Sequence, residues 1–440
     1  DRAAAERAVA LDPDDLAAVE LLTGHLIADG DDAGAATVLG RALAGKDDGA
    51  AATRALRATL WLRLGEVRER RGDGKSAQAA YERAIALDGA GAAATAARRH
   101  RVATLYADPD RSPERRDQLL ELRRAIAAAT ASADDAAALA DELRRAERHD
   151  PALAALDLAT ALGHRLDVHQ TAFRSLHRPH RFAADEAYRG ALDADAIAGF
   201  LADPADPPLA AVFATLAEAA GLLWPDADEA LARAGVTGAR RVTATASSPA
   251  AIAYPRIATA LAAGAVVLYV RDQAGAPPIQ LVCAATPMVI LGPRLQGEVD
   301  LAARFQLGRA AELSRWHRVI AAGLAPDDLR ATFAALVRTF APPALHAAVA
   351  PLVLDRDVQR ARDEALRGAL PVKLRQRFEQ LFAGVAPTEL DLGRYLAGCA
   401  RAADRAGLLV SGDVAAAQAS VAERGADPAT VVRTVIDPAY

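Results

Sequence analysis

Residues that could bind a transition metal are few in this 440-residue chain, which has nine histidines and two cysteines. Four of the histidines fall close together in sequence: His164, His169, His177 and His180. Two of them are three residues apart, a spacing that places both imidazoles near one edge of a helix and is compatible with a metal site. Pro179 interrupts that pair, and three arginines would repel a cation: Arg174, Arg178 and Arg181. We therefore interpret the segment as a basic surface between domains.

Nucleophilic and cofactor chemistry has little support in the sequence. Cys399 has no histidine beside it and lies in an alanine-rich predicted helix, whereas Cys283 lies in an apolar predicted strand. We expect both thiols to pack in the core. Two cysteines also exclude a disulfide scaffold and a cysteine-built zinc site. No glycine-rich phosphate loop and no G-x-S-x-G motif is present, so we predict no cofactor.

Composition favours a multidomain helical protein. Apolar residues make up 52% of the chain and charged residues 25%, which excludes wholesale disorder. Aromatic residues are only 4%, and alanine, the best helix former, supplies much of the apolar share. The formal net charge of -5 argues against a nucleic-acid partner. No apolar run is long enough to span a membrane, and we expect a cytoplasmic location. Because the chain starts at Asp1, inside a helical pattern, we expect the natural N-terminus to be missing.

A repeat lies near the N-terminus. The segment Leu60–Asp88 carries seven residues at regular spacing: Trp61, Leu64, Gly65, Gly72, Ala77, Tyr81 and Ala84. This pattern, W-x2-L-G followed by a turn glycine and A-x3-Y-x2-A, resembles the tetratricopeptide repeat. Small residues then allow two helices to cross closely, and Gly72 opens the turn between them.

A second copy precedes the first, with six residues at equivalent places: Val19, Leu22, Gly30, Ala35, Leu39 and Ala42. Its spacing from the first copy predicts an insertion near Gly45–Ala52. We predict a tetratricopeptide-like α-solenoid over residues 1–162, with further helical pairs after Asp88. Such an array exposes a groove that binds peptides or proteins, although it can also be a structural spacer.

The remainder divides into a connecting region and a C-terminal domain. Residues 163–239 keep helical periodicity but contain several prolines, including the turn at Asp203–Pro208. From residue 240 to residue 440, short runs rich in Val, Ile and Thr precede further helices, which predicts an α+β domain with a small sheet and a helical body. The whole chain is therefore predicted to be mostly α.

Two motifs in the C-terminal domain resemble the HtpX-type, or minigluzincin, zinc metallopeptidases. In Pro287–His317, an apolar strand precedes a helix in which Phe305, Leu307 and Gly308 keep the frame of F-x-L-G-H-E-x-x-H. In Ala397–Asp413, the sequence ADRAGLL matches the later helix whose glutamate is the third zinc ligand in that family. The resemblance covers about residues 240–432.

The resemblance also implies which residues should bind zinc, and this sequence lacks them. The two histidine positions hold Arg309 and Leu313, the general-base position holds Ala310, and the third-ligand position holds Ala400. Arginine stays protonated in proteins, and leucine and alanine side chains have no lone pair to donate. The resemblance therefore predicts a pseudo-enzyme with no metal and no catalytic residue.

We also considered whether residues outside the aligned ligand positions could bind a metal, and whether two motif residues could brace the helix that carries those positions. Glu312 and His317, taken as one helix, would lie about 140° apart and could not easily reach one ion. His346 is isolated. In the resembled family, residues equivalent to Asp404 and Arg405 brace the active-site helix. We expect Asp404 to pair with Arg309 or another nearby arginine, the alternative being an ordinary surface ion pair.

Three functional hypotheses remain. The first is a non-enzymatic scaffold or adaptor, whose array binds a protein partner and whose peptidase-like domain is a second interaction module. The second is a hydrolase with an unrecognised or repurposed site in the cleft that corresponds to the active site of the resembled peptidases. The third is a structural subunit of a large assembly. By analogy with the family, Pro287–Leu291 could also bind a peptide by strand addition.

Overall fold

The computed structural model describes residues 1–45, 50–110, 112–181, 194–243, 248–353 and 355–437. The chain divides into two compact units. Unit 1 contains Asp1–His177 and Val432–Pro438, and unit 2 contains Arg178–Val431. Most described residues are helical, and one small mixed sheet of four strands is present. Among the described helices, none combines the length and apolar character that a membrane span requires.

Unit 1 begins with a run of helices, each of which packs on its neighbours in the chain from the first to the ninth. The run is α1 (Arg2–Leu11), α2 (Leu16–Ala28), α3 (Asp32–Leu43), α4 (Ala51–Arg70), α5 (Gly74–Asp88), α6 (Ala92–Ala107), α7 (Pro113–Thr130), α8 (Ala133–Arg145) and α9 (His149–Ala161). Helix α10 (Val168–Arg181) follows and includes the unit boundary after His177. The insertion predicted near Gly45–Ala52 falls largely outside the described residues.

Aspartate caps and alanine-rich seams explain these helices. Asp15, Asp31 and Asp73 each accept a hydrogen bond from a backbone N–H in the first turn of the helix that follows. Each such cap stabilises a helix by about 1 kcal/mol. The segment Leu60–Asp88 forms the end of α4 and all of α5, which pack against each other. At their contact, a β-carbon at Gly65 would overlap the buried ring of Tyr81. Gly65 is therefore required by the close packing of that ring.

Unit 2 contains shorter helices around the sheet. In chain order these elements are α11 (Ala194–Leu201), α12 (Leu209–Glu218), α13 (Ala220–Leu223), α14 (Ala227–Arg233), β1 (Ala239–Arg241), α15 (Pro249–Ala260), β2 (Val267–Arg271), β3 (Ile279–Val282), β4 (Met288–Leu291), α16 (Leu301–Leu313), α17 (Val319–Gly323), α18 (Pro326–Phe340), α19 (His346–Val349), α20 (Arg356–Ala369), α21 (Val372–Phe382), α22 (Leu392–Ser411) and α23 (Val414–Glu423). Helix α24 (Ala429–Ile436) crosses the boundary between the units. Single 3₁₀ turns lie at Pro293–Leu295, Pro343–Leu345, Ala350–Leu352 and Pro387–Glu389.

The sheet has the strand order β1-β2-β4-β3. Strand β4 is parallel to β2 and antiparallel to β3, so it is central, and β3 is an edge strand. Successive side chains of β4 point to opposite faces. Val289 and Leu291 pack in the cluster that contains α15, α16 and α22, whereas Met288 and Ile290 pack against α14.

A second core lies among the C-terminal helices of unit 2. It joins α12, α18, α21 and α22 through large aromatic side chains. The Phe213 ring stacks on Tyr395 with centroids 5.1 Å apart, and Phe340 stacks on Phe378 at 5.4 Å. Residues from the predicted connecting region thus lie inside the core of unit 2, which begins before residue 240.

Candidate functional site

Helices α16 and α22 carry the two motifs and cross at a pair of glycines. A β-carbon at Gly308 would lie 2.8 Å from the backbone oxygen of Ala406. A β-carbon at Gly407 would lie 2.7 Å from the backbone oxygen of Phe305. Both separations are too short for a real side chain, so the helices can approach this closely only where glycine is present. Packing alone therefore accounts for these motif residues without any metal.

The ion pair predicted between α16 and α22 is present. The Nε of Arg309 donates to Oδ1 of Asp404 at 2.8 Å, and the side chains are 14% and 7% exposed. Arg424 donates to the same oxygen at 2.6 Å, and Arg309 Nη1 donates to Gln306 at 3.3 Å. Burial lowers the pKa of Arg309, and the Asp404 carboxylate opposes that shift. The cluster contains two guanidinium groups and one carboxylate, an excess of one positive charge.

Of the four positions that the predicted resemblance compares with zinc-site residues, three line one groove of about 570 Å³. Arg309, Leu313 and Ala400 form one side of it, together with Leu396 and Cys399. Ala310 is buried instead in the core beneath the sheet. The remaining lining comes from Arg233, Ala234, Ile279–Leu281 and 321–325. No carboxylate lies among these lining residues.

Strand β3 presents a free edge to this groove. Gly292 N donates to Pro278 O at 2.8 Å, which fixes the alternation of hydrogen-bonded pairs between β3 and β4. Ile279 and Leu281 therefore direct their backbone N–H and C=O groups away from β4, and no described residue hydrogen-bonds to them on that side. At the next outward position the edge is closed, because Cys283 N donates to Gly323 O at 3.1 Å.

The strand addition predicted at Pro287–Leu291 is wrong. Strand β4 occupies Met288–Leu291 and is paired with β2 on one side and β3 on the other. All four of its residues are buried. A continuous apolar run of this kind is typical of a central strand, which has no free edge for a peptide. The edge that borders the groove belongs to β3.

A second cavity of about 380 Å³ adjoins the groove beyond Gly323. The two share Arg233, Ala234 and residues 323–325. The second cavity is lined by Trp224, Val282, Cys283 and Leu366, with Asp328 and Arg362 also in its wall. The cavities together form an elongated depression beside β3.

The expectation that Glu312 and His317 lie on one helix is wrong, because helix α16 ends at Leu313. Ser314 is the C-cap, and its hydroxyl donates to Ala311 O at 2.7 Å. Glu312 is 1% exposed and pairs with Arg315 at 2.6 Å and with Arg318 at 3.1 Å. Burial raises the pKa of Glu312, and the two arginines oppose that shift. The Glu312 carboxylate is thus bound within an ionic cluster with Arg315 and Arg318.

His317 is also part of that cluster. Its Nε2 accepts a hydrogen bond from Arg318 Nε at 2.8 Å, which requires a neutral ring. Burial, followed by the positive charges of Arg318 and Arg315, lowers the pKa of His317 to about 4. Arg318 also donates to Asp206 at 2.7 Å. Among residues 1–45, 50–110, 112–181, 194–243, 248–353 and 355–437, no group of three metal-binding side chains is present.

Arg405 has partners other than helix α16. It donates to the backbone oxygens of Leu201 and Ala202 and lies 3.4 Å from the carboxylate of Asp203. Arg401 also pairs with Asp203, whose side chain is 1% exposed. These contacts tie α22 to the segment after α11. Of the two predicted bracing residues, Asp404 forms an ion pair with α16, whereas the hydrogen bonds of Arg405 go to residues 201–203.

Both thiols are free and buried. Burial raises the pKa of Cys283 to about 12 and that of Cys399 to about 11. A thiolate is the nucleophilic form of cysteine, so neither side chain supplies one near neutral pH. Cys399 lines the groove only as a small apolar group.

In unit 1, the repeat framework forms a packed seam. Leu64, Ala77, Tyr81 and Ala84 are at most 1% exposed, and Trp61 packs beside them while half-buried. Gly72 has a φ of +79°, as a turn glycine should. The Tyr81 hydroxyl donates to Glu69 at 2.6 Å, and His100 stacks on the Tyr81 ring with centroids 4.9 Å apart. This polar edge of the seam was not evident from the repeat spacing.

The histidine-rich segment is only partly described. His164 contacts Asp134 and Gln170, each at 3.3 Å. His177 stacks on His149 with centroids 4.9 Å apart and lies against Phe173. The side chain of His180 lies outside the described residues, so the predicted pair of His177 and His180 does too.

Sequence reasoning missed the strand edge and several charged partners. Ile279–Val282 was included in a strand-like run, but a run of residues does not reveal which strand is at the edge. Asp203 and Asp206 lie 198 and 112 residues from the arginines that they pair with, Arg401 and Arg318. Arg424 follows the next helix after the second motif and lies outside that motif. Asp203 and Asp206 both lie in the proline-rich turn at residues 203–208, which the sequence did predict. Comparison of the chain with protein-family models, curated proteins and solved structures gave no match.

Proposed function

We propose that this chain is a non-enzymatic protein-interaction scaffold or adaptor. In this proposal, the tetratricopeptide-like array of residues 1–162 binds a protein partner. The C-terminal unit is a peptidase-like domain without zinc ligands or a general base, and it binds an extended peptide instead of cleaving it. The interaction surface in that unit is the groove beside β3.

One observation carries the proposal: a free strand edge borders the groove in which the degenerate positions meet. Ile279 and Leu281 offer outward N–H and C=O groups to that groove. An extended peptide that pairs with this edge gains backbone hydrogen bonds, and the adjoining apolar wall can accept alternate side chains. The closure at Cys283 limits such pairing to the first part of the strand.

The same groove gives hydrolysis little support. The side chains at the former ligand positions are Arg309, Leu313 and Ala400, of which two have no polar atom. Arg309 stays protonated and cannot act as a general base. Cys399 is the only thiol among the lining residues, and its raised pKa keeps it protonated. The nearest buried glutamate, Glu312, is held by two arginines.

The proposal is tested by blocking the strand edge. The probes are short acetylated and amidated peptides of alternating valine and threonine, N-methylated at every second residue in one or the other register. We expect the unmodified peptide to bind the full chain in fluorescence polarisation. One N-methyl register should abolish binding and the other should preserve it, because an added strand directs alternate N–H groups toward its neighbour.

Proline variants provide the matched control on the protein. Leu281→Pro removes an outward N–H from the edge that borders the groove, and we expect it to weaken peptide binding at least about tenfold. Arg241→Pro alters the outer edge of β1, at the other side of the sheet, and should leave binding unchanged. Equal effects of both N-methyl registers would overturn the proposed binding mode. Stoichiometric zinc in elemental analysis, or cleavage of the peptides, would favour the hydrolase hypothesis instead.

A further inference from the structure

The lining of the groove beside β3 has a pronounced charge asymmetry. Its two ionisable side chains with a permanent charge are Arg233 and Arg309, and no carboxylate lines it. Arg233 pairs with Glu229 at the surface and is 68% exposed. Arg309 is only 14% exposed, so most of its surface is removed from water while it still faces the groove.

Arg309 has hydrogen-bonding capacity that its protein partners do not use. Nε donates to Asp404, and Nη1 donates one of its two hydrogens to Gln306. Nη2 has no hydrogen-bond partner among the described residues. A guanidinium group has five N–H donors in a planar fork, so the side toward the groove can still bind an acceptor with two oxygens.

The charge on Arg309 is only partly compensated. Asp404 is shared with Arg424, so a single carboxylate serves two guanidinium groups. A ligand carboxylate in the groove would complete the pairing, because an anion next to a half-buried cation is favoured by both charge and hydrogen bonding. A neutral amide of the same shape would supply only the weaker hydrogen bonds.

We propose that Arg309 recognises a carboxylate of the peptide that lies along β3. The inference rests on the proposed function, since it names the chemistry of the ligand at that same groove. Ile279 and Leu281 would hold the peptide backbone, and the position that an extended chain brings over α16 would carry the acidic group. Either an acidic side chain or the C-terminal carboxylate has this chemistry.

Three matched probe peptides distinguish these sources. All have alternating valine and threonine. The first has a central glutamate and an amidated end, the second a central glutamine and an amidated end, and the third a central glutamine and a free C-terminal carboxylate. Affinities for the full chain are measured by fluorescence polarisation at low salt and at about 0.15 M salt. We expect one acidic probe to bind at least about tenfold more tightly than the neutral probe.

Variants assign that preference to Arg309. Arg309→Gln should bring the ratio of the affinities for the acidic and neutral probes close to one, because the charge and the donor fork are both removed. Arg309→Lys should retain part of it, since lysine keeps the charge but not the fork. Arg424 still pairs with Asp404 in both variants, and thermal unfolding checks that unit 2 stays folded. Arg330→Gln, on α18 outside the groove lining, is the control and should preserve the preference.

The outcomes are separable. If the acidic and neutral probes bind equally well to the wild-type chain, the carboxylate assignment is overturned but the proposed peptide groove stands. If an acidic probe is preferred and Arg309→Gln keeps that preference, another residue recognises the carboxylate and the inference is wrong. If no probe binds at concentrations up to about 1 mM, the proposed function itself fails and the inference fails with it.

Discussion

Units 1 and 2 both bury charged side chains, but they pair them differently. In unit 1, Glu142 has a side chain 8% exposed, and its partner Arg145 is 59% exposed. In unit 2, Glu312 and Arg318 are 1% and 2% exposed, so both members of the pair are removed from water. A partner that reaches solvent can keep part of its hydration, whereas a fully buried pair depends on its neighbours for every hydrogen bond.

The two units therefore differ in which residues are sensitive to substitution. Unit 1 is held by seams of alanine, leucine and glycine between neighbouring helices, and its buried acids Glu142 and Asp157 pair with arginines that reach solvent. Unit 2 is held at its centre by charges from α16, from the segment after it and from the turn at residues 203–206. We therefore expect substitutions of charged residues to matter most in unit 2.

The largest expected effect comes from removing one member of the buried pair. Arg318→Met leaves Glu312 and Asp206 without their shared partner, and we expect a loss of about 3–5 kcal/mol. The matched change in unit 1, Arg145→Met, should cost about 1 kcal/mol or less. Amide hydrogen exchange of α16 and α8 measures the two effects separately. Equal losses in both units would remove the distinction between them.

The helix crossings give the next largest effect. Gly407→Ala places a methyl group against the backbone of Phe305, and we expect a loss of about 1–3 kcal/mol. Gly65→Ala in unit 1 places a methyl group against the buried ring of Tyr81, and we expect a loss in the same range.

Two glycines in open surroundings are the controls for these crossings. Gly40 lies in α3 and Gly368 in α20, and a β-carbon at either position would meet no neighbour within 4 Å. Replacement by alanine should stabilise each helix by up to about 1 kcal/mol. Denaturant midpoints measure all four variants. Stabilisation of unit 2 by Gly407→Ala would contradict the close backbone contact.

The smallest expected effect is a pH dependence of unit 2. The folded-state pKa of His317 is lowered to about 4 from an ordinary value of 6.5, so the unfolded chain binds more protons between these pH values. The contribution is fully present above pH 6.5 and is lost as pH falls toward 4. Since the ring is partly exposed, we expect about 1–2 kcal/mol.

His317→Gln tests this dependence, because glutamine can accept the Arg318 hydrogen bond but does not titrate. The variant should flatten the stability of unit 2 across this pH range in urea titrations. Trp316→Phe, at the exposed neighbouring position, should keep the wild-type slope. An unchanged slope in His317→Gln would assign the pH dependence to another group, for which Glu312, with its raised pKa, is the first candidate.

Some contacts between α16 and α22 could be predicted from the two sequence motifs alone. These are the glycine crossing and the ion pair of Arg309 with Asp404. Both motifs placed small residues and opposite charges at matching positions of two helices, so the ion pair was predictable. The end of α16 at Leu313 was not, because no glycine or proline follows it and Ser314, the C-cap, is not a stop signal. His317 therefore lies beyond the end of the helix on which the sequence pattern placed it together with Glu312.

The amino-acid sequence by itself determined the mostly helical content, the spacing of the residues that pack around Gly65 and Tyr81, and the side-chain types at positions 309, 310, 313 and 400. These features follow from residue type and spacing within one or two neighbouring elements. Tertiary structure decided which strand is at the edge of the sheet, and which distant charges meet at Arg318 and Asp404. Strand order and long-range ion pairs depend on how separate elements pack, and the local pattern of β3 and β4 is compatible with either strand at the edge.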